Sequence, residues 1–323
     1  MKDTKIKSKI YQVPKAKTNQ VPKAKMHQVA KAKMNVKNYK NNISRIFTHF
    51  FMIDMAFVFL FPFIYMIVTS IKTNNDLYDL TVNWIPRTIE WKNYVIAFKI
   101  LEYPKFLKNS FVITAWATIG HIIACSFTGY GFARYEFIGH KVLFSLSVLS
   151  IIIPVQTIIV PQYVIFANLK WTNSYLPIIV PTFFAYGLRG GLFIFIFRQF
   201  YLGFPKALED AAKIDGCGIL RTYWQIVLPT AKSAFFVVLV LSIVWHWNDF
   251  YEPSIYISSL DKVTLPSRLN EIITMVRKSQ EELMDQIGHQ GWENTINNAV
   301  LMAGTSLIVL PVLTAFAFLQ RQF

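Results

Sequence analysis

Charged residues and small apolar residues alternate between Glu209 and Pro229, and this stretch is the part of the chain best suited to contact another molecule. Pro205 is placed for the first turn of a helix, and the alanines after it are strong helix formers. Asp215-Gly216 then supplies a tight bend before a second short helix. A helix with small residues on one face allows another protein to dock closely. The spacing alone leaves open that this is an ordinary surface loop with a helical turn.

Sequence patterns for catalysis or metal binding are absent from the chain. It contains no G-x-x-x-x-G-K-[ST] phosphate loop, no H-E-x-x-H pair and no G-x-S-x-G elbow. Its two cysteines, Cys125 and Cys217, offer neither a disulfide framework nor a metal spacing. His121 and His246 are expected to pack or to face a pore. We therefore expect no enzyme activity, no catalytic residue, no metal site and no cofactor bound by this chain.

Polar residues inside apolar stretches are the second candidate functional group, because such residues face a bundle interior or water. Pro154 and Pro161 interrupt the apolar stretch Val142–Phe166 and could expose its backbone carbonyls to a water-filled translocation path. Hydrogen bonds between packed helices are the alternative role for these side chains. The candidates for lining a translocation path are Gln156, Gln162, Tyr163, Asn248 and Asp249.

The elements that must position these residues are helices that cross a membrane. Hydrophobic residues make up 54% of the chain, which includes 28 phenylalanines. Apolar runs near the ~20 residues needed for a spanning helix recur along it. The six predicted spans are Phe50–Ile71, Phe111–Ala133, Val142–Phe166, Tyr175–Phe197, Ala234–Ile257 and Ala299–Leu319. The fold class expected is an all-α membrane protein with about six transmembrane helices.

Three regions are expected along the chain. Residues 1–49 form a basic tail with thirteen Lys and Arg, one acid and an eight-residue repeat, and we expect this tail to be disordered. Residues 50–105 hold the first span and an external loop, and residues 106–323 form the transmembrane core with a cytoplasmic loop at 198–232. The tail has few aromatic residues, so we expect it to contact membrane lipid or to have no function, and not to bind nucleic acid.

The distribution of Lys and Arg predicts the orientation. With the N-terminus inside, the cytoplasmic segments carry 21 of these residues and the external segments 11. Both termini and the 198–232 loop are therefore expected in the cytoplasm.

The 205–229 stretch resembles the EAA loop of binding-protein-dependent ABC importer permeases, with the pattern E-A-A, three residues, G, nine residues, I-x-L-P. The matching residues are Asp210, Ala211, Ala212, Gly216, Ile226, Leu228 and Pro229, with Glu209 as the preceding acid. Asp210 stands where the family usually has Glu, which keeps the charge and shortens the side chain. Phe197–Phe200 and Trp247–Phe250 resemble the carbohydrate-uptake branch, similar to the smaller maltose-type permease.

The resemblance implies a type I ABC importer permease in a bacterial cell membrane that carries a sugar or related polyol. It implies that these loop residues couple transport to a separate dimer of ATP-binding subunits, which binds ATP and Mg²⁺. It also implies a second homologous permease subunit and an extracellular or periplasmic substrate-binding protein. A self-sufficient secondary transporter or channel, or a membrane scaffold, remains open at this point.

Overall fold

A computed structural model describes residues 23–79, 81–82, 84–187, 189–286 and 297–320, and within these residues every regular element is a helix. The helices are α1 Lys23–Ser70, α2 Asn74–Tyr78, α3 Lys92–Ile100, α4 Tyr103–Arg134, α5 His140–Leu149, α6 Val155–Asn168, α7 Leu176–Ile179, α8 Gly190–Gly203, α9 Lys206–Ile214, α10 Ile219–Thr222, α11 Leu228–Thr230, α12 Lys232–Asn248, α13 Tyr251–Tyr256, α14 Leu265–Gln286 and α15 Asn298–Leu319. A 3₁₀ turn at Val180–Phe184 follows α7, and a π-helical segment at Tyr223–Val227 joins α10 to α11.

The chain divides into two compact units, Met1–Pro62 and Phe63–Phe323. In the first unit, the structure describes residues from Lys23, and these are helical from the start of α1. The region expected to be disordered is therefore helical from Lys23 to residue 49, where lysine, alanine and methionine favour a helix and proline is absent. Residues 1–22 lie outside the described part.

Three of the predicted spans are continuous helices. The second and sixth predicted runs lie in α4 and α15, and the first lies in α1 except for its last residue, Ile71. The segments Arg45–Ser70, Tyr103–Arg134 and Asn298–Leu319 are long and apolar enough to cross a membrane. A fourth span of this kind is formed if Ile219–Thr230 and Lys232–Asn248, which meet at 78°, are counted together.

The third, fourth and fifth predicted runs are each interrupted. The third divides into α5 and α6 at Pro154, which has extended backbone and precedes α6. The fourth divides after the 3₁₀ turn, where Ala185, Gly187 and Arg189 all have positive φ. The fifth divides between α12 and α13 at Asp249, whose extended backbone ends the first helix. The break at Pro154 agrees with the interruption expected there. Hydropathy reports composition and not backbone continuity, so it does not locate the breaks in the fourth and fifth runs.

Prolines elsewhere are accommodated inside helices. Pro161 was expected to interrupt the third span but lies within α6. Pro311 lies within α15, and its missing N–H leaves the carbonyl of Leu307 without its helical donor. The Tyr103 hydroxyl donates to that carbonyl at 3.0 Å, so the freed group is satisfied inside the protein.

α4 is the central helix of the second unit and packs against α8, α12 and the 3₁₀ turn. Small residues allow this approach, since a Cβ on Gly129 would lie 2.7 Å from the Cβ of Phe197. The buried cluster beside it includes Phe193, Phe197, Tyr201, Tyr223 and Val238. This packing fixes the end of α4 against the segments that carry the EAA-like residues.

Candidate functional site

Glu209 anchors α9 to the end of α4. Glu209 is buried, with 5% of its surface exposed. The Nε of Arg134 donates to Glu209 Oε1 at 2.6 Å, and the hydroxyl of Tyr130 donates to Oε2 at 3.2 Å. Arg134 Nη2 also donates to the carbonyl oxygen of Phe204 at 2.8 Å, just before α9 begins. A buried carboxylate with a charged partner and a hydroxyl donor is well satisfied, so α9 is held firmly on α4.

The neighbouring acid, Asp210, points the other way. It is exposed, and Lys213 Nζ lies 3.3 Å from Asp210 Oδ1 on the surface of α9. Ala211 is exposed, whereas Ala212 is buried. Two adjacent carboxylates therefore lie in different environments: Glu209 holds the helix on α4, and Asp210 lies in solvent next to Lys213.

The bend after α9 depends on Gly216, which has φ +76°. Its N–H donates to the carbonyl of Lys213 at 3.0 Å, and the N–H of Cys217 donates to the carbonyl of Ala212 at 2.9 Å. These bonds cap the helix in the manner of a C-terminal glycine motif. A side chain at Gly216 would have open space, but the left-handed backbone disfavours any residue with a Cβ.

The second half of the loop is fixed by a buried hydroxyl network. Ser126 Oγ of α4 lies 2.7 Å from the Tyr223 hydroxyl and 2.6 Å from the Tyr201 hydroxyl of α8. The ring of Tyr130 packs against both tyrosine rings at 5.2 and 5.6 Å. Tyr223 opens a π-helical segment, an element often found at functional sites.

The remaining residues of the motif lie at the end of this segment. Ile226 and Leu228 are half-buried and Pro229 is exposed. The chain then bends by 78° into α12. The structure thus brings both halves of the EAA-like stretch against the C-terminal part of α4, through Glu209 on one half and Tyr223 on the other.

The outer side of this stretch exposes large apolar side chains, which we call the loop surface: Leu208, Ile214, Ile219, Leu220 and Trp224. Their exposed fractions run from 49% for Leu208 to 87% for Ile214. Exposed large apolar side chains that occur together in one segment are typical of a protein-binding site.

The predicted path residues separate into two groups. Gln156 and Gln162 line a cavity of about 480 Å³, whereas Tyr163 is exposed on α6 without being among the residues that line it. Asn248 donates to the carbonyl of Val244 at 2.8 Å, within its own helix. Asp249 Oδ1 accepts from the backbone N–H groups of Tyr251 and Glu252 and so starts α13.

Sequence reasoning missed the groups that position the loop. Arg134 enters the prediction only as one of the Lys and Arg residues that set the orientation, and no sequence pattern marks Tyr130, Ser126 or Tyr201. Arg134 and Glu209 are 75 positions apart, so only their opposite charges could have suggested the pair. Tyr223 lay inside the motif at a position that the pattern leaves unspecified.

In the described residues, no group of three or more His, Cys, Asp or Glu side chains is arranged to hold a metal ion. His246 Nε2 lies 3.1 Å from His121 Nδ1 in the buried interface of α4 and α12, where the two rings stack. This pair packs two helices together.

Membrane-length apolar helices and interrupted apolar runs around a cavity are typical of a helical membrane protein that crosses the bilayer several times. The family model for binding-protein-dependent transport system inner membrane components matches residues 118–323. The chain belongs to this family, whose members are permease subunits of transport systems.

Individual relatives agree with this assignment. The arabinooligosaccharides transport system permease protein AraQ of Bacillus subtilis is 26% identical over 285 residues, which cover 87% of this chain and 93% of that one. The probable starch degradation products transport system permease protein AmyC of Thermoanaerobacterium thermosulfurigenes is 26% identical over 284 residues, covering 88% and 95%.

A solved structure shows the same fold. It is a chain from the crystal structure of a bacterial ABC transporter involved in the import of the acidic polysaccharide alginate. The TM-score is 0.70 at 18% identity, and the match covers 88% of this chain and 98% of that one. The expected type of fold is thereby confirmed.

Proposed function

We propose that this chain is a permease subunit of an ATP-driven importer that carries a sugar or related polyol across a bacterial cell membrane. Family membership supports the transport role. The names of the relatives, which concern arabinooligosaccharides and starch degradation products, support a carbohydrate substrate. The chain itself carries out no catalysis in this proposal, because a partner hydrolyses the ATP.

The observation that carries the proposal is the two-sided construction of the 205–229 loop. Its inner side is fixed to α4 through the buried pair of Glu209 and Arg134, with side-chain exposures of 6% and 4%. Its outer side presents the loop surface and Asp210 to a partner. A partner that moves α9 would therefore move the end of α4 with it.

The partner proposed for this surface is a dimer of ATP-binding subunits, which binds ATP and Mg²⁺. Closure of that dimer would be transmitted through Ala211, Ala212 and Gly216 on one half of the loop. On the other half, Ile226, Leu228 and Pro229 lead directly into α12. Rigid-body rocking of the helices would then alternate access between the two membrane sides.

Two further partners complete the proposed assembly: a second homologous permease subunit and an extracellular or periplasmic substrate-binding protein. The Lys and Arg distribution supports cytoplasmic N- and C-termini, which puts the loop on the side where ATP is available. The basic tail would then lie next to anionic lipid headgroups, and nucleic acid has no part in this assembly.

Among the path candidates, the cavity favours Gln156 and Gln162. Tyr163, Asn248 and Asp249 are retained as path residues for other stages of transport, since a moving bundle exposes different faces in turn. Their present contacts are local, so mutation of the two glutamines should affect uptake first.

The proposal is tested by purifying the tagged full-length chain from its native membrane in mild detergent and identifying co-purifying proteins by mass spectrometry. We expect an ATP-binding subunit with a phosphate loop and a second permease. Co-purification of the ATP-binding subunit is then compared in two variants. Ile214→Asp places a charge on the loop surface and is expected to lose the subunit. Ile85→Asp places a charge on a similarly exposed residue of the predicted external loop and is expected to keep it. Recovery of the chain alone, with uptake intact after reconstitution, would instead indicate a self-sufficient transporter or channel.

A further inference from the structure

The short helix α3 presents large apolar side chains on its outer face. Trp91, the residue before the helix, is 65% exposed, and Val95 and Phe98 are 54% and 42% exposed. With about 3.6 residues per turn, positions four and three residues apart fall on one face, and we call these three side chains the α3 stripe. Lys92 and Lys99 are exposed about a quarter turn away around the helix.

The inner face of α3 is fixed to the protein. Asn93 Nδ2 donates to the carbonyl oxygens of Ser70 at 3.0 Å and of Lys72 at 2.9 Å. Ala97, which is 2% exposed, lies in a buried cluster with Ala303 of α15. A buried amide that lost its acceptors would be costly. The helix therefore cannot rotate to bury the α3 stripe without breaking these contacts.

The contacts with α15 place α3 at the depth of the membrane surface. α15 is long and apolar enough to cross a membrane. Its 22 residues span about 33 Å, close to the ~30 Å apolar core of a bilayer, so its first residues lie near one surface. The contacts with α3 and the residues after it run from Val300, in the same buried cluster as Ala97, to Leu307, whose carbonyl accepts from the Tyr103 hydroxyl at 3.0 Å.

This range of contacts is converted to a depth by the helical rise. At about 1.5 Å per residue, the contacted part of α15 lies roughly 3 to 14 Å from its first residue. Amphipathic helices that lie in the plane of a membrane have their apolar face about 5–10 Å into the boundary between headgroups and acyl chains. The α3 stripe is therefore at the level of lipid and not of bulk water.

The charges beside the α3 stripe indicate which lipid is suited to it. Lys92 and Lys99 form no ion pair with any residue that the structure describes. Lysines at the level of the headgroups attract anionic phospholipids. Trp91 adds an indole ring, a group that is enriched at the level of the headgroups. Apolar side chains for acyl chains and two cations for phosphates thus lie on adjacent sides of one helix.

We propose that α3 is an in-plane membrane helix that binds anionic phospholipid. The α3 stripe packs against acyl chains at the membrane surface where α15 begins, and Lys92 and Lys99 bind the lipid phosphates. This lipid site is separate from the loop surface and from the cavity lined by Gln156 and Gln162. It does not depend on what the chain transports.

The test uses the full-length chain with Cys217→Ser, purified with any bound subunits and reconstituted into phospholipid vesicles; the buried Cys125 is left in place. A small neutral fluorophore, bimane, is attached at Val95→Cys. Quenching is measured with phosphatidylglycerol or phosphatidylcholine that carries a nitroxide near the top of an acyl chain, and both lipids are expected to quench the probe. Acrylamide, a water-soluble quencher, is expected to quench a probe at Lys92→Cys more strongly than the probe at Val95→Cys.

The two lysines are tested through the preference between the two lipids. Because each lysine near the surface favours an anionic lipid about fivefold, nitroxide phosphatidylglycerol is expected to reach half-maximal quenching at a mole fraction about fivefold or more below that of nitroxide phosphatidylcholine. Lys92→Gln combined with Lys99→Gln should abolish this preference and leave quenching by both lipids. Lys105→Gln combined with Lys170→Gln, which removes the same charge from two other exposed lysines, is the matched control and should keep the preference.

Three results would overturn the inference. Equal quenching by acrylamide at positions 92 and 95 would show that the α3 stripe faces water. No quenching by either nitroxide lipid would show that protein, such as a second permease subunit, covers it. A lipid preference that survives in the variant lacking Lys92 and Lys99 would remove the role of these lysines. Co-purification of an ATP-binding subunit is scored separately, and its absence would contradict the proposed transport function without changing the quenching results.

Discussion

Replacing Glu209 by alanine is expected to release α9 from the end of α4. The change removes the acceptor for Arg134 Nε at 2.6 Å and for the Tyr130 hydroxyl at 3.2 Å. Arg134 would remain buried, with its side chain 4% exposed and only the bond to the Phe204 carbonyl. Removing one partner of a buried ion pair costs about 3–5 kcal/mol.

The neighbouring acid provides the control. Asp210 is paired with Lys213 at 3.3 Å, but both side chains are more than 60% exposed. Solvent screens such a pair, so Asp210→Ala should cost below about 0.5 kcal/mol of α9 stability. The two substitutions remove the same kind of group from adjacent positions of one helix.

Hydrogen–deuterium exchange measures the difference directly, since amide protection in α9 reports its local opening free energy. A loss of about 3 kcal/mol corresponds to a decrease in protection of roughly 100-fold. We expect that decrease in Glu209→Ala and almost none in Asp210→Ala. Equal protection in the two variants would refute the assignment of Glu209 as the anchor.

A double-mutant cycle separates the ion pair from side-chain packing. Arg134→Met combined with Glu209→Met replaces both charges by apolar groups, a change that is often neutral in buried pairs. The double variant should recover much of the α9 protection lost in either single variant, with a coupling energy of about 2 kcal/mol or more. Additive losses would contradict a direct interaction.

The remaining predictions concern backbone and packing. Gly216→Ala should destabilise the loop by about 1–2 kcal/mol in thermal unfolding because its φ is +76°, whereas Gly218→Ala, with φ −71° and open space, should not. Gly191→Ala should lower uptake by separating α8 from α5, and Gly203→Ala, which meets nothing within 4 Å, should leave uptake unchanged. Tyr103→Phe should lower thermal stability by about 1–3 kcal/mol, because the α15 carbonyl freed by proline loses its donor. Equal effects in a glycine and its control, or no effect at Tyr103, would contradict the corresponding argument.

The sequence predicted the all-helical membrane fold and the motif of the loop because both depend on local features. Apolar length identifies α4 and α15, and Asp215-Gly216 identifies the bend. The sequence did not reveal which proline breaks a helix: Pro154 precedes α6, while Pro161 and Pro311 lie inside helices. In α15 the freed carbonyl is satisfied by the Tyr103 hydroxyl, a contact between residues 204 positions apart that no local sequence feature predicts.

The candidate site was predicted only in part for a similar reason. The motif indicates residues 205–229, but the partner that anchors Glu209 lies at the end of α4, and the pair forms only when α9 packs there. The cavity shows the same limit. Gln156 and Gln162 were identifiable as polar residues in an apolar run. Glu252 lines the same cavity only because three broken spans converge there, which the sequence does not show.

Photo-crosslinking in native membranes shows whether the loop surface docks an ATP-binding subunit. A photoreactive amino acid is placed at Ile214, which is 87% exposed on α9, and in a matched chain at Ile85, which is 84% exposed on the predicted opposite side of the membrane. We expect a covalent adduct with a phosphate-loop ATPase from position 214 and none from position 85. Adducts from both positions, or from Ile85 alone, would rule out docking at the loop surface.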